Sequence, residues 1–184
     1  IEAEEQGDKL SKEELRATIT LLLIAGHETT VNLIGNGVLQ LLRHRDQYER
    51  LGKDPSLAKT ATDEVLRFDP PVLFTGRTAM ADIELDGMTI KKGEHATVLI
   101  GAGNRDPEVF ENPNVFDIGR TKNPHLAFGL GIHFCLGAPL ARVEGQVALT
   151  TFAQRLPNME LEVDPPEYRE HIVLRGIEAL PVRF

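Results

Sequence analysis

The chain has 184 residues, 41% hydrophobic and 26% charged, with a formal net charge of -8. That size and balance suit a globular protein able to bury a core, and they leave no basic excess for tracking nucleic acid. The most apolar run, Leu21 to Ala25, is far short of the ~20 residues a bilayer span needs, and no charged-then-apolar leader precedes it.

A single cysteine suits a reducing compartment, so the expected location is cytoplasmic, with no membrane association. The chain opens on Ile1 rather than methionine, which points to part of a longer protein. Residues 1–10 are acidic and are expected to fray. Ser11-Lys12-Glu13-Glu14 then reads as a capping box, followed by Leu15, Ile19, Leu22 and Leu23 at helical spacing. The periodicity continues through Leu33, Val38 and Leu42 and predicts one helix over 12–43, roughly 45 Å long, interrupted by Gly26, Gly35 and Gly37.

A shorter helix is predicted over 56–68, ending before Pro70-Pro71. Strand-like runs follow at 72–79, 82–85, 88–90 and 95–100, the later ones separated by turns at Asp86-Gly87 and Lys92-Gly93. Residues 101–127, rich in Gly, Pro and Asn, read as an irregular meander. A last helix is predicted over 139–156 with proline in its first turn. The tail alternates like short strands at 160–163 and 180–182. The fold class is therefore predominantly α with small β-sheets (α+β).

Phe128-Gly-Leu-Gly-Ile-His-Phe-Cys-Leu-Gly137 contains the only thiol, Cys135. A free cysteine is most often a small buried hydrophobe. Here Gly129, Gly131 and Gly137 permit tight turning or close approach to a flat object, and the following helix start presents free amides that favour anionic sulfur. The sulfur could then be a nucleophile, with His133 nearby, or a metal ligand. Zinc would require further ligands at suitable spacing, which are missing. A porphyrin supplies four nitrogens and needs only one protein sulfur.

Ala25-Gly26-His27-Glu28-Thr29-Thr30 lies inside the long helix. A zinc-protease motif would need a second histidine at 31, where Val31 stands. Mid-helix glycine costs ~1 kcal/mol relative to alanine, and threonines that bond back to the i-4 carbonyl bend helices. The pattern suggests a helix widened where a ligand sits. By spacing alone, Glu64 and Arg67 form a surface ion pair worth a few tenths of a kcal/mol, and Arg77, Arg105, Arg120 and His133 are solvated charges.

Together these stretches resemble the cytochrome P-450 superfamily of heme-thiolate monooxygenases, soluble bacterial type, over nearly the whole chain. The Phe128–Gly137 stretch resembles the heme-ligating loop, and Ala25–Thr30 the oxygen-activating part of the longest helix. Glu64-x-x-Arg67 is similar to the family's ion-pair motif, while Asn104-Arg105-Asp106-Pro107 and Phe116-Asp-Ile-Gly-Arg120 are similar to its meander.

The resemblance implies that residues 1–184 are the carboxyl-terminal portion of a single heme-binding monooxygenase domain, without its amino-terminal portion. Cys135 would be the axial ligand of heme b, with Phe128 beside the sulfur and Arg77 and His133 pairing with propionates. Glu28 and Thr29 would manage protons. Leu22, Ala25, Gly26 and Thr30, with Pro71 to Phe74 and therefore Val72, would line the heme and substrate pocket, and Gly129 and Gly137 would shape the loop. Glu64, Arg67 and Arg120 would hold the meander.

The implied partners are a ferredoxin or flavodoxin-type electron donor, a small hydrophobic substrate, and the missing amino-terminal portion or a second copy. The alternative is a truncated or heme-free remnant serving as an interaction module without catalysis.

Overall fold

The computed structural model describes residues 10–184, so the acidic stretch expected to fray lies almost wholly outside the described residues. The predicted first helix is present as α1, Lys12–Arg43. Its start follows from the sequence: Ser11 Oγ accepts from the Glu14 amide at 3.1 Å, and Glu14 Oε2 accepts from the Ser11 amide at 2.8 Å. α2 (Arg45–Lys53) follows directly and was not anticipated, because Tyr48 and Leu51 are its only buried residues. A 3₁₀ turn (Pro55–Leu57) leads into α3 (Ala58–Phe68).

The strands pair locally. β1 (Phe74–Thr78) runs antiparallel to β4 (His95–Leu99), with Phe74 opposite Leu99 and Thr78 opposite His95. β2 (Ile83–Leu85) and β3 (Met88–Ile90) form a hairpin. Its turn residues Asp86 and Gly87 have φ of 48° and 79°, the left-handed pair that a tight two-residue connection demands. After the single turn α4 (Ile100–Gly103) and the meander comes α5 (Ala138–Arg155), with Pro139 in its first turn as expected. Near the carboxyl end, β5 (Glu160–Leu161) pairs with β6 (Val182–Arg183).

The core lies where α1, α2 and α3 pack on α5, around residues such as Leu41, Tyr48, Val65, Ile118 and Leu149. Burying each leucine there contributes about 2 kcal/mol. Gly37 makes the α1–α5 approach possible: a Cβ at that position would lie 2.8 Å from Leu149 Cδ2.

The two halves of α1 differ. From Asn32 onward it is largely buried, whereas Ile19, Leu21, Leu22, Leu23 and Ile24 are all more than half exposed. An 18-residue window of α1 reaches a mean hydropathy of 1.3, enough by length and composition for a membrane span. Interior helices of larger folds meet the same test. The polar contacts of the second half, such as Asn36 Nδ2 donating to Arg175 O at 3.0 Å, tie it into the protein.

The pairing of Glu64 and Arg67 corrects the surface assignment, since both side chains are fully buried. Arg67 engages all five guanidinium N–H groups. Nε and Nη2 donate to Glu64 at 2.8 Å, and the rest donate to the carbonyls of Asn104, Pro113 and Val115. Glu64 also accepts from Arg120 Nε at 3.2 Å and from the Asp117 amide at 2.9 Å. The meander therefore has little regular structure and is organised around one buried charge cluster. Arg105 is not a free surface charge either: it donates to Phe68 O at 2.7 Å and stacks 3.7 Å from the centre of that ring.

Candidate active site

Residues 25–30 continue as regular α-helix, so the widened turn anticipated from Gly26 and the paired threonines is absent. The back-bond is present, with Thr29 Oγ1 donating to Ala25 O at 2.6 Å. That bond commits the hydroxyl proton and leaves the oxygen's two lone pairs to act as acceptors. Nothing lies within 4 Å of where a Gly26 Cβ would sit, so the helix face is open there.

The cysteine loop is built from left-handed glycines. Gly129 and Gly131 have φ of 68° and 64°, a region that disfavours side-chain-bearing residues. Between them and Phe134 the chain makes one 3₁₀ turn, Gly131–His133. The Cys135 amide donates to Phe128 O at 2.9 Å, which closes the loop on itself. The Ala138 amide donates back to Cys135 O at 3.2 Å, which joins the loop to α5. The thiol itself is exposed.

These two features meet across a cleft of about 220 Å³ between α1, the cysteine loop and α5. Of the residues singled out from sequence, Ala25, Gly26, Thr29, Thr30, Val72, Phe128, Cys135 and Gly137 line it together, as does Pro71. Leu22 is exposed on α1 and is not part of the lining. Glu28 is turned aside, with Oε1 at 3.6 Å from Arg169 Nη1. The Arg77 guanidinium folds back on Thr75 Oγ1 and Gly76 O at 2.9 and 2.8 Å. His133 is exposed in the 3₁₀ turn, and Gly129 contributes backbone shape.

Further lining residues were not anticipated: Leu33, Leu66, Ala127, Leu140, Ala141 and Glu144. The last three stand at i, i+1 and i+4 from Leu140 on the helix that Pro139 opens, so helical periodicity carried a usable signal. Also unanticipated was a polar cluster behind the loop. Asp63 Oδ1 accepts from Arg142 Nε at 2.8 Å and lies 3.3 Å from His125 Nε2, and the Arg142 guanidinium sits 4.6 Å from the centre of the Phe128 ring.

The donor set fits heme. One exposed sulfur faces a mostly apolar cleft, and no group of three or more His, Cys, Asp or Glu able to hold a metal ion occurs among the described residues. A metal bound here must bring its other ligands with it, as porphyrin iron does. Nothing lies within 4 Å of a Cβ placed at Gly26 or at Gly131, so both positions stand open.

Comparison with known proteins agrees with this geometry. The family model described as cytochrome P-450 matches residues 1–58 and 53–178. A biotin biosynthesis cytochrome P-450 of Bacillus subtilis (strain 168) is 51% identical over 177 residues, covering 96% of this chain and 45% of that protein. The structure of the Bacillus subtilis 168 bacillaene polyketide synthase cytochrome P-450 PksS superposes with a TM-score of 0.94 at 48% identity, over 98% of this chain and 47% of that one. A crystal structure of P-450 BioI in complex with hexadec-9Z-enoic acid ligated acyl carrier protein gives a TM-score of 0.93 at 51% identity, covering 97% and 46%.

The chain thus spans about half the length of the curated relatives it matches. The family uses heme b as its cofactor. With the family model covering most of its residues and the cysteine loop and Thr29 facing one cleft, the chain belongs to the cytochrome P-450 family.

Proposed function

We propose that residues 1–184 form the carboxyl-terminal portion of a heme-thiolate monooxygenase domain, carrying its iron ligand and its oxygen-activating helix. The carrying observation is the shared cleft: Cys135 and Thr29, on distant segments of the chain, face the same apolar space. Heme bound there supplies one-electron and dioxygen chemistry, delivering one oxygen atom to substrate and reducing the other to water with two electrons and two protons.

The chain's own residues bind, orient and move protons. The Cys135 sulfur would hold the heme iron, and the exposed Arg77 and His133 would pair with its propionates, Arg77 by exchanging its bonds to Thr75 Oγ1 and Gly76 O. Ala25, Gly26, Thr30 and Val72 form apolar or small walls that exclude water. Thr29 Oγ1, its own proton committed to Ala25 O, accepts a hydrogen bond from a proton-bearing group in the cleft. Glu28, partly exposed, carries protons from solvent toward that position. Glu64, Arg67 and Arg120 keep the meander beneath the loop.

The substrate class we assign is a small hydrophobic molecule, supported by the apolar lining and by the fatty-acyl ligand in the P-450 BioI complex. The assigned electron donor is a ferredoxin or flavodoxin-type protein, and the assigned compartment is the cytoplasm, supported by the single cysteine. The remaining walls belong to an amino-terminal portion that covers the apolar start of α1. The test is the carbon monoxide difference spectrum of the reduced, heme-loaded protein. Cys135→Ser is expected to abolish the thiolate band, and a retained band overturns the ligand assignment.

A further inference from the structure

Phe128 is held at both ends. Its backbone oxygen accepts from the Cys135 amide at 2.9 Å. Its ring is met by the Arg142 guanidinium at 4.6 Å, by the His125 ring at 5.8 Å and by Phe134 at 6.5 Å. A cation over an aromatic face is an oriented interaction worth about 0.5–2 kcal/mol, so the ring that shares the cleft lining with Cys135 is oriented by charge.

That charge is balanced. Arg142, on the first turns of α5, donates Nε to Asp63 Oδ1 of α3 at 2.8 Å. The same oxygen lies 3.3 Å from His125 Nε2, whose side chain is only 3% exposed. The Ala127 amide donates to His125 Nδ1 at 3.3 Å, which leaves Nε2 to face the Asp63 carboxylate. Burial pulls the Asp63 carboxyl upward, but hydrogen bonds from His125 and Arg142 and the charge of Arg142 outweigh it. The carboxyl ends below its ordinary range and stays ionised. One carboxylate and one guanidinium therefore cancel, tied to each other and to the cysteine loop.

We propose that Asp63, His125 and Arg142 are positioning residues that clamp Phe128 and, by their balanced charges, set how strongly the Cys135 sulfur donates to bound iron. The inference rests on the heme-thiolate assignment above. With Asp63 19% and Arg142 30% exposed, the pair interacts through a medium less screening than bulk water, so an unbalanced charge is felt at the ligand.

The test is the reduction potential of the heme-loaded protein, with the iron–sulfur stretching frequency read by resonance Raman spectroscopy. Asp63→Asn leaves the Arg142 cation uncompensated and is expected to raise the potential. Arg142→Gln leaves the Asp63 anion uncompensated and is expected to lower it. The stretching frequency should move in opposite directions in the two variants, and Arg142→Lys, which keeps the charge, should stay near wild type. A purely structural role would loosen heme in both variants without opposed shifts.

Unmoved or same-sign potentials overturn the inference while the wild-type thiolate band stands. Loss of that band in the wild type itself overturns the ligand assignment instead. If one charge-removing variant does not hold heme, the other is judged against the wild type: a shift of the stated sign supports the inference and an unmoved potential overturns it.

Discussion

Two glutamate–arginine pairs in this chain look alike on paper and behave as opposites. Glu64 and Arg67 are fully buried, and every polar atom of the guanidinium has a partner. Glu28 and Arg169 meet at one distance of 3.6 Å with about a third of each side chain exposed. Burying an ion pair costs desolvation that only complete hydrogen bonding repays, so the first pair exists because the meander wraps it. It locks coil in place where no helix or sheet could. The second pair is screened by water and costs little to break, which suits the proton-carrying role proposed for Glu28.

The largest expected effect comes from stripping the buried pair. Arg67→Ala would leave the Glu64 carboxylate in the interior with fewer partners, strip the side-chain donor from the Asn104 and Pro113 carbonyls and leave Val115 O only its longer bond from Arg120. A loss of about 3–5 kcal/mol is expected, read from urea unfolding midpoints. Arg67→Lys should rescue little, because one ammonium cannot reproduce the forked geometry. A variant within about 1 kcal/mol of wild type would show that the cluster does not hold the meander.

Sequence patterns disclosed some of this and hid the rest for physical reasons. Helix α1 was legible because its signals are local: the Ser11–Glu14 capping box and an apolar repeat. So was the hairpin at Asp86-Gly87, and so was the cysteine loop, whose glycines adopt the positive φ that justifies them. Burial of Glu64 and Arg67 was not legible from their spacing, since it depends on carbonyls 37 to 48 residues downstream of Arg67. α2 was passed over because its only buried residues, Tyr48 and Leu51, are too few to make a period stand out. The role of Asp63 was equally hidden, because its partners His125 and Arg142 come from two later segments. The turning aside of Glu28 toward Arg169 follows from tertiary placement of the tail.

Asp63 sits between the two extremes, with a side chain 19% exposed and two cationic or donating partners. Its carboxyl lies below the ordinary range in the folded protein, so the contribution to stability is present above the unfolded value near pH 4. It is lost as pH falls through the folded value. Unfolding across a pH series should find Asp63→Asn less stable than wild type by about 1 kcal/mol at neutral pH, with the gap closing below pH ~4. A gap that persists unchanged into acid would mean that the carboxylate charge is not what Arg142 responds to.

The smallest effect belongs to Arg169→Ala, expected to change stability by less than about 0.5 kcal/mol because the pair is partly exposed and meets only at 3.6 Å. The comparison between the two pairs turns on this value. The segment that presents Arg169 is anchored by other means: the Arg169 amide donates to Gly176 O at 3.0 Å, and Ile177 packs against Gly35 of α1. Removing the side chain therefore leaves the backbone docked and releases only Glu28. If Arg169→Ala instead destabilised the protein as much as Arg67→Ala, the Glu28 pair would be a second structural lock. Glu28 would then be too firmly held to carry protons between solvent and the cleft.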